Sequence, residues 1–252
     1  MLYIDIGNSF IKIASHVDDV IDNLAPSPAS SGDNWVTQLR ARHDQIDDVI
    51  SLLNTEMIKM MPVLACSVVE NISQLLKQKL GKRIHFVQVS DLPAEVLNYN
   101  TPQTLGIDRF LACLGAWSLS GNSAVLVIDA GTATTIDLMD AEGVFQGGII
   151  TAGLRIFEDG LRNHAPALPA VEREIPSAWP PKNTTQALQW GIAGTYIELV
   201  NAHVERFKKD WPDAQVWVTG GDAPTLAQIR SVQLHYHPNL VLEGLRTWNK
   251  KN

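Results

Sequence analysis

The chain has 252 residues, 45% of them hydrophobic and 19% charged, with a formal charge of −7 and a pI near 5.4. That length and balance describe a folded globular protein of one large or two modest domains, not a disordered chain. The acidic balance argues against broad nucleic-acid or anionic-membrane binding, which needs a basic surface, while leaving room for a local basic pocket for phosphate.

The N-terminus, Met1-Leu2-Tyr3-Ile4-Asp5, lacks the basic start of a signal peptide. No apolar run reaches the length of about 20 residues that a membrane helix needs, so a cytoplasmic protein is expected. Leu2 to Ile6 is apolar and β-prone, Gly7-Asn8-Ser9 is turn chemistry, and Phe10 to Ala14 alternates as a returning strand. Pro26 to Asn34 reads as a loop. Asp47 to Leu53 fits a strand or a helix end equally well. Val63 to Val68 predicts a buried strand, Glu70 to Leu80 a helix stopped by Gly81, and Ile84 to Val89 a further strand. The two cysteines, Cys66 and Cys113, read as small buried residues in a reducing compartment rather than as a disulfide.

From Gly106 the pattern turns helical, with Phe110, Leu111, Leu114 and Trp117 on one face and Gly121-Asn122 at the end. Ala124 to Asp129 is an apolar strand, Ala130-Gly131-Thr132 a turn, and Thr135 to Met139 its return; Val144 to Ile150 completes a meander. Ala187 to Phe207 has long helical periodicity closed by Pro212. Its stripe from Tyr196 to Phe207 reads as packing, with any exposed part available for a dimer contact. Val216 to Thr219 is a strand running into Gly220-Gly221-Asp222-Ala223, a helix follows Pro224, and Leu240 to Trp248 is a short C-terminal helix. His235 and His237 alternate on a strand and could share a metal, although solvated or core histidines are the commoner outcome. The Trp179-Pro180-Pro181 segment has no evident function.

Tyr3-Ile4-Asp5-Ile6-Gly7 matches Val127-Ile128-Asp129-Ala130-Gly131, and each copy heads one half of the chain. A duplicated architecture with domains at 1–118 and 119–252 is therefore expected. No GxxxxGK[ST] and no helix-opening GxGxxG is present. Asp-x-Gly turns can form another phosphate cradle. Glycine lets the backbone approach the oxygens, turn N–H groups donate to them, and the aspartate holds a cation. Either turn alone is read as an ordinary hairpin; the pair, with Gly220-Gly221 as a third turn, points to phosphate. Asp108 and Arg109 open the helix after Gly106. They fit either a favourably placed first-turn acid with its neighbour or a general base with an anchor for an acidic substrate.

Three segments, Ile4 to Lys12, Leu105-Gly106-Ile107-Asp108-Arg109 and Asp129 to Asp137, resemble the type III pantothenate kinases. Gly147 to Ile150, Ala167-Leu168-Pro169, Asn183-Thr184 and Thr219 to Ala223 follow in the family's order. The resemblance implies an α/β fold of two duplicated ribonuclease H-like domains in the acetate/sugar kinase, Hsp70 and actin superfamily, with an interdomain cleft. It implies ATP-dependent phosphorylation of pantothenate, at the first step of coenzyme A synthesis, by a homodimer. Carried over residue by residue, Asp108 is the general base. Asp5, Ile6, Gly7, Asn8, Ser9, Phe10, Ile11, Lys12 and Thr132 bind ATP, and Asp5 lies near Mg²⁺. Tyr99, Gly106, Ile107, Asp108, Arg109 and Thr184 bind pantothenate, Thr184 across a dimer interface. Asp129 holds a monovalent cation, K⁺ or NH₄⁺. The chain departs from the family at Ser9, where threonine is common, and at Ala152, where proline-glycine is usual. A regulatory protein of the Bvg accessory factor type, or a kinase for another small hydroxyl compound, are the rival expectations.

Overall fold

The computed structural model describes residues 1–19, 34–229 and 231–251. The expected loop from Pro26 lies outside the described residues up to Asp33. The chain divides into two compact units, Met1–Ser118 with Asn239–Asn252, and Leu119–Pro238.

The first unit is built on strands β1 (Leu2–Ile6), β2 (Phe10–His16), β3 (Trp35–Arg42), β4 (Val63–Ser67) and β5 (Ile84–Phe86), in the order β3-β2-β1-β4-β5. The hairpin pairs β1 and β2 antiparallel, whereas β4 runs parallel to β1 and β5 parallel to β4. Ile4, Ile6, Ile11 and Ile13 alternate onto one face and join helices α1 (Ile46–Leu53) and α2 (Glu70–Leu80) through Val49, Leu53, Ile72 and Leu76. The ambiguous segment after Asp47 is therefore helical, because Val49 and Leu53 need the four-residue spacing of a helix to reach the sheet together. Gly81 ends α2 with φ of 54°. β3 carries only two buried side chains, Trp35 and Ala41.

Helix α3 (Ile107–Leu119) belongs to this unit. The last helix (Leu240–Lys251) packs against β1 and β4 in the same unit, so the second domain does not run to the C-terminus as its sequence order led us to expect. Close backbone approach explains the docking. A Cβ on Gly115 would strike Leu240 O, and one on Gly244 would strike Leu111 O. A buried hydrogen bond from Trp35 Nε1 to Glu243 Oε1, 2.7 Å, and ion pairs from Arg246 to Asp18 and Asp19 add to it.

The second unit repeats the plan. Strands β6 (Val125–Ala130), β7 (Ala133–Met139), β8 (Phe145–Ala152), β9 (Gln215–Thr219) and β10 (Leu234–Tyr236) lie in the order β8-β7-β6-β9-β10. As in the first unit, the leading hairpin is antiparallel and the last two strands are parallel. A helix not anticipated from sequence, α4 (Leu154–His164), follows β8. The long helical stretch resolves into α5 (Thr184–Gln189), a π turn (Trp190–Gly194) and α6 (Thr195–Asp210). The π turn seats the Trp190 ring over Gly194, where a Cβ would collide with it. Trp179 meets Trp190 edge to face at 4.9 Å. Tyr196, Val200 and Val204 lie in the core with Leu126, Ile128 and Val218. A short helix α7 (Ala223–Leu226) follows the Gly220 turn, and the C-terminal helix is α8. Cys66 and Cys113 are both buried and unbridged. Among the described residues, no helix is long and apolar enough to cross a membrane.

Glycine to alanine normally strengthens a helix interior, by about 0.5–1 kcal/mol. At Gly244 the opposite sign is expected: Gly244→Ala lowers stability by about 1–3 kcal/mol, as overpacking does, measured by urea unfolding.

Candidate active site

In the first unit the strand register collects the charged groups. Asp5 of β1 lies opposite Lys12 of β2 on one side and Cys66 of β4 on the other. Directly paired residues in neighbouring strands share a face, so the three side chains project together. Between Asp5 and Lys12 the chain turns through Gly7-Asn8-Ser9, closed by a bond from Gly7 N to Phe10 O of 3.1 Å. His43 Nε2 and Gly7 O, 2.9 Å apart, brace the turn from outside. Asn8 and Phe10 are exposed at its tip, whereas Ile6 and Ile11 are buried and can offer a ligand only backbone groups.

The start of α3 adds Asp108. Its Oδ1 accepts the backbone N–H of Arg109 at 2.9 Å. A Cβ on Gly106 would lie 2.5 Å from that oxygen, so residue 106 must be glycine for the carboxylate to sit here undisturbed. Arg109 and Ile107 are buried, and Tyr99 is half-buried.

Asp108 is close enough to Asp5 to govern its chemistry. Burial, and then the Asp108 carboxylate, push Asp5 up to about 7, against the opposing pull of Lys12 and the Cys66 thiol. The thiol Sγ donates to Asp5 Oδ1 at 3.6 Å. Burial, followed by the two aspartates, raises Cys66 well above the usual thiol range, so it remains an S–H donor. Neither Cys66 nor His43 carried a sequence signal: each acquires its contact from strand pairing or loop return.

The second unit has a parallel arrangement with different chemistry. Asp129 of β6 lies opposite Thr135 of β7 and Thr219 of β9, so threonine stands in the register position that Lys12 holds in the first unit. The turn is closed from Gly131 N to Ala133 O at 3.2 Å, with Thr132 exposed. Two other segments crowd it. Gly220, with φ of 93°, sits where a Cβ would strike Ala130 O and lie 2.6 Å from Asp129 Oδ1. Gly153 sits where a Cβ would strike Gly131 O, and its N–H donates to Thr132 O at 3.1 Å. Thr184 is exposed at the start of α5, behind Asn183, whose side chain caps the helix by accepting from Gln186 N. His235 stacks on Trp217 with ring centroids 5.0 Å apart.

The family model for type III pantothenate kinase matches residues 1–206. The chain belongs to that family. A type III pantothenate kinase from Symbiobacterium thermophilum is 29% identical over 268 residues, covering all of this chain and 97% of the relative. Among solved structures, a Campylobacter jejuni protein described as a Baf family transcriptional activator superposes with a TM-score of 0.68 at 22% identity, over 100% of this chain and 98% of the other. A Sinorhizobium meliloti protein described as a 2-dehydro-3-deoxygalactonokinase gives a TM-score of 0.56 at 12% identity, covering 99% and 98%. At these identities the structural likenesses establish the fold alone, two α/β units that each carry a five-stranded mixed sheet. The family places this chain among phosphotransferases that act on an alcohol group.

The raised proton affinity of Asp5 has a measurable consequence. Between the unfolded carboxylate value of 3.8 and about 7, the folded chain binds this proton more tightly than the unfolded chain does. Stability contributed here therefore falls as pH rises through that window. Asp5→Asn removes the penalty. Its Tm is expected to match wild type near pH 4 and to exceed it at pH 8. Differential scanning calorimetry at the two pH values checks this.

Proposed function

We propose that this chain transfers the γ-phosphoryl group of ATP to the primary hydroxyl of pantothenate, giving 4′-phosphopantothenate and ADP, as a homodimer in the cytoplasm. The observation that carries the reading is the Asp5–Asp108 pair beside the Gly7 to Lys12 turn, on the residues that match the family's motifs. Asp108 is the general base. It accepts the hydroxyl proton as the substrate oxygen bonds to the γ-phosphorus and the bond to the departing ADP oxygen breaks. The bond from Arg109 N to Asp108 Oδ1 fixes the carboxylate's orientation.

Asn8, Ser9 and Lys12 contact the ATP phosphates through side chains, and Ile6, Gly7, Phe10 and Ile11 through the backbone. Thr132 is a further ATP contact. Tyr99, Gly106, Ile107 and Arg109 hold pantothenate, Arg109 by charge against its carboxylate, and Thr184 reaches the substrate of a partner subunit. The donor set at Asp5 suits Mg²⁺. Two neighbouring carboxylates raise the demand for a cation, and carboxylate oxygens suit an ion that shares its ligands with phosphates and water. When bound, Mg²⁺ neutralises charge on the phosphate chain. The glycine-lined surround of Asp129 leaves its carboxylate beside backbone carbonyls of the Ala130 turn, a set of oxygens suited to K⁺ or NH₄⁺.

Coupled-enzyme measurement of ADP release with pantothenate, Mg²⁺ and K⁺ tests the reading. Asp108→Asn is expected to lower kcat by about 10²–10⁴, the usual contribution of a general base, while Mg·ADP binding measured by calorimetry persists. Equal turnover by the two proteins removes Asp108 from this role, and no pantothenate-dependent turnover by wild type removes the assignment.

A further inference from the structure

Arg173 lies outside every motif that the sequence resemblance covers, in the segment between α4 and α5. Its guanidinium nevertheless makes the densest ionic contact described in the second unit. Nε and Nη2 donate to Glu158 Oε1 and Oε2 at 2.6 and 2.7 Å, and Nη1 donates to Asp222 Oδ1 at 2.7 Å. The Arg173 side chain is 39% exposed, whereas its two acceptors are only 18% and 16% exposed. Exposed single ion pairs contribute little, but a planar fork spanning two carboxylates has fixed geometry as well as charge.

What the fork joins gives it meaning. Glu158 lies on α4, the helix that begins beside Gly153, whose N–H is bonded to Thr132 O. Asp222 follows Gly220-Gly221, and its own N–H donates to Ala130 O at 2.9 Å. The segments at Gly153 and Gly220 are therefore the two that crowd the Asp129 turn, one on Gly131 and Thr132 and the other on Ala130 and Asp129. Arg173 ties their far ends together and completes a closed path through Thr132, Gly153, Glu158, Arg173, Asp222 and Ala130.

We propose that Arg173 is a positioning residue for the Asp129–Thr132 turn, holding the two flanking segments at the spacing that nucleotide binding requires. Removing the guanidinium leaves the Glu158 and Asp222 carboxylates facing one region with no cation between them. Their repulsion spreads the Gly153 and Gly220 segments, and the turn loses its walls. This inference rests on the kinase reading, in which Asp129 and Thr132 serve the nucleotide side.

The test uses the full chain and Mg·ADP as the probe, without pantothenate. Arg173→Ala is expected to weaken Mg·ADP binding by about tenfold in calorimetry and to raise the KM for ATP similarly, a change of about one factor of ten in an equilibrium constant. The KM for pantothenate stays within twofold of wild type, and Arg173→Lys recovers part of the loss because an ammonium can still hold one carboxylate. Arg162→Ala, which breaks only the contact with Asp159 on the α4 surface, serves as the control with unchanged nucleotide binding. Unaltered Mg·ADP affinity in Arg173→Ala overturns the proposal while leaving the kinase reading intact. So does a loss shared equally by both substrates, accompanied by a lowered Tm that lysine fails to restore. If wild type binds no nucleotide, the kinase reading itself fails, and the positioning role fails with it.

Discussion

Two carboxylates held close together, Asp5 and Asp108, set the terms for the first unit. Neither is placed there by accident of a loop. Asp5 is fixed within β1 between Lys12 and Cys66, and Asp108 is fixed at the start of α3 over a glycine that admits no side chain. Burial and mutual repulsion make full ionisation of both costly, which is why Asp5 retains its proton to about pH 7. A site under that tension is stabilised by a cation, and in the proposed function that cation is the Mg²⁺ that accompanies ATP. The same tension gives the free protein a pH-dependent stability unrelated to its net charge.

The second unit shows how duplication separates roles. Strand order is shared and each aspartate stands one residue before the end of its leading strand, so Asp129 occupies the position equivalent to Asp5. Its neighbours in register are Thr135 and Thr219, where Asp5 has Lys12 and Cys66. Hydroxyls and close-packed glycine backbone surround one aspartate; an amine, a thiol and a second carboxylate surround the other. In the proposed function the first environment would hold the monovalent ion and the second the magnesium nucleotide. One backbone plan thus supports two different electrostatic settings.

Much of the fold was legible because hydrophobic period and turn chemistry agreed. Leu2–Ile6 with Gly7-Asn8-Ser9, and Val125–Ala130 with its turn, declared both hairpins, and the repeat between them declared the duplication. β3 escaped notice because Trp35–Arg42 buries few side chains and has no clean alternation. α4 escaped because its apolar side chains are few and one of them, Ile156, is exposed. The placement of α8 with the first unit depends on Gly115 and Gly244 meeting the opposite helix across a long separation in sequence, a relation no local pattern encodes. For the site, Asp5, Asp108 and Asp129 were visible through motif and resemblance. Cys66, His43 and Arg173 were not, since each becomes relevant only through a tertiary contact.

Burial and the neighbouring Asp108 carboxylate together hold the Asp5 proton in the free protein, and a bound cation is expected to release it. Carbon-detected NMR of the Asp5 side-chain carboxyl, titrated in the free protein and again with saturating Mg·ADP, tests this most directly. The expected midpoint lies near 7 in the free protein and moves well down into the ordinary carboxylate range when the magnesium nucleotide is bound. An ordinary carboxylate midpoint in the free protein, or one unmoved by Mg·ADP, would contradict it.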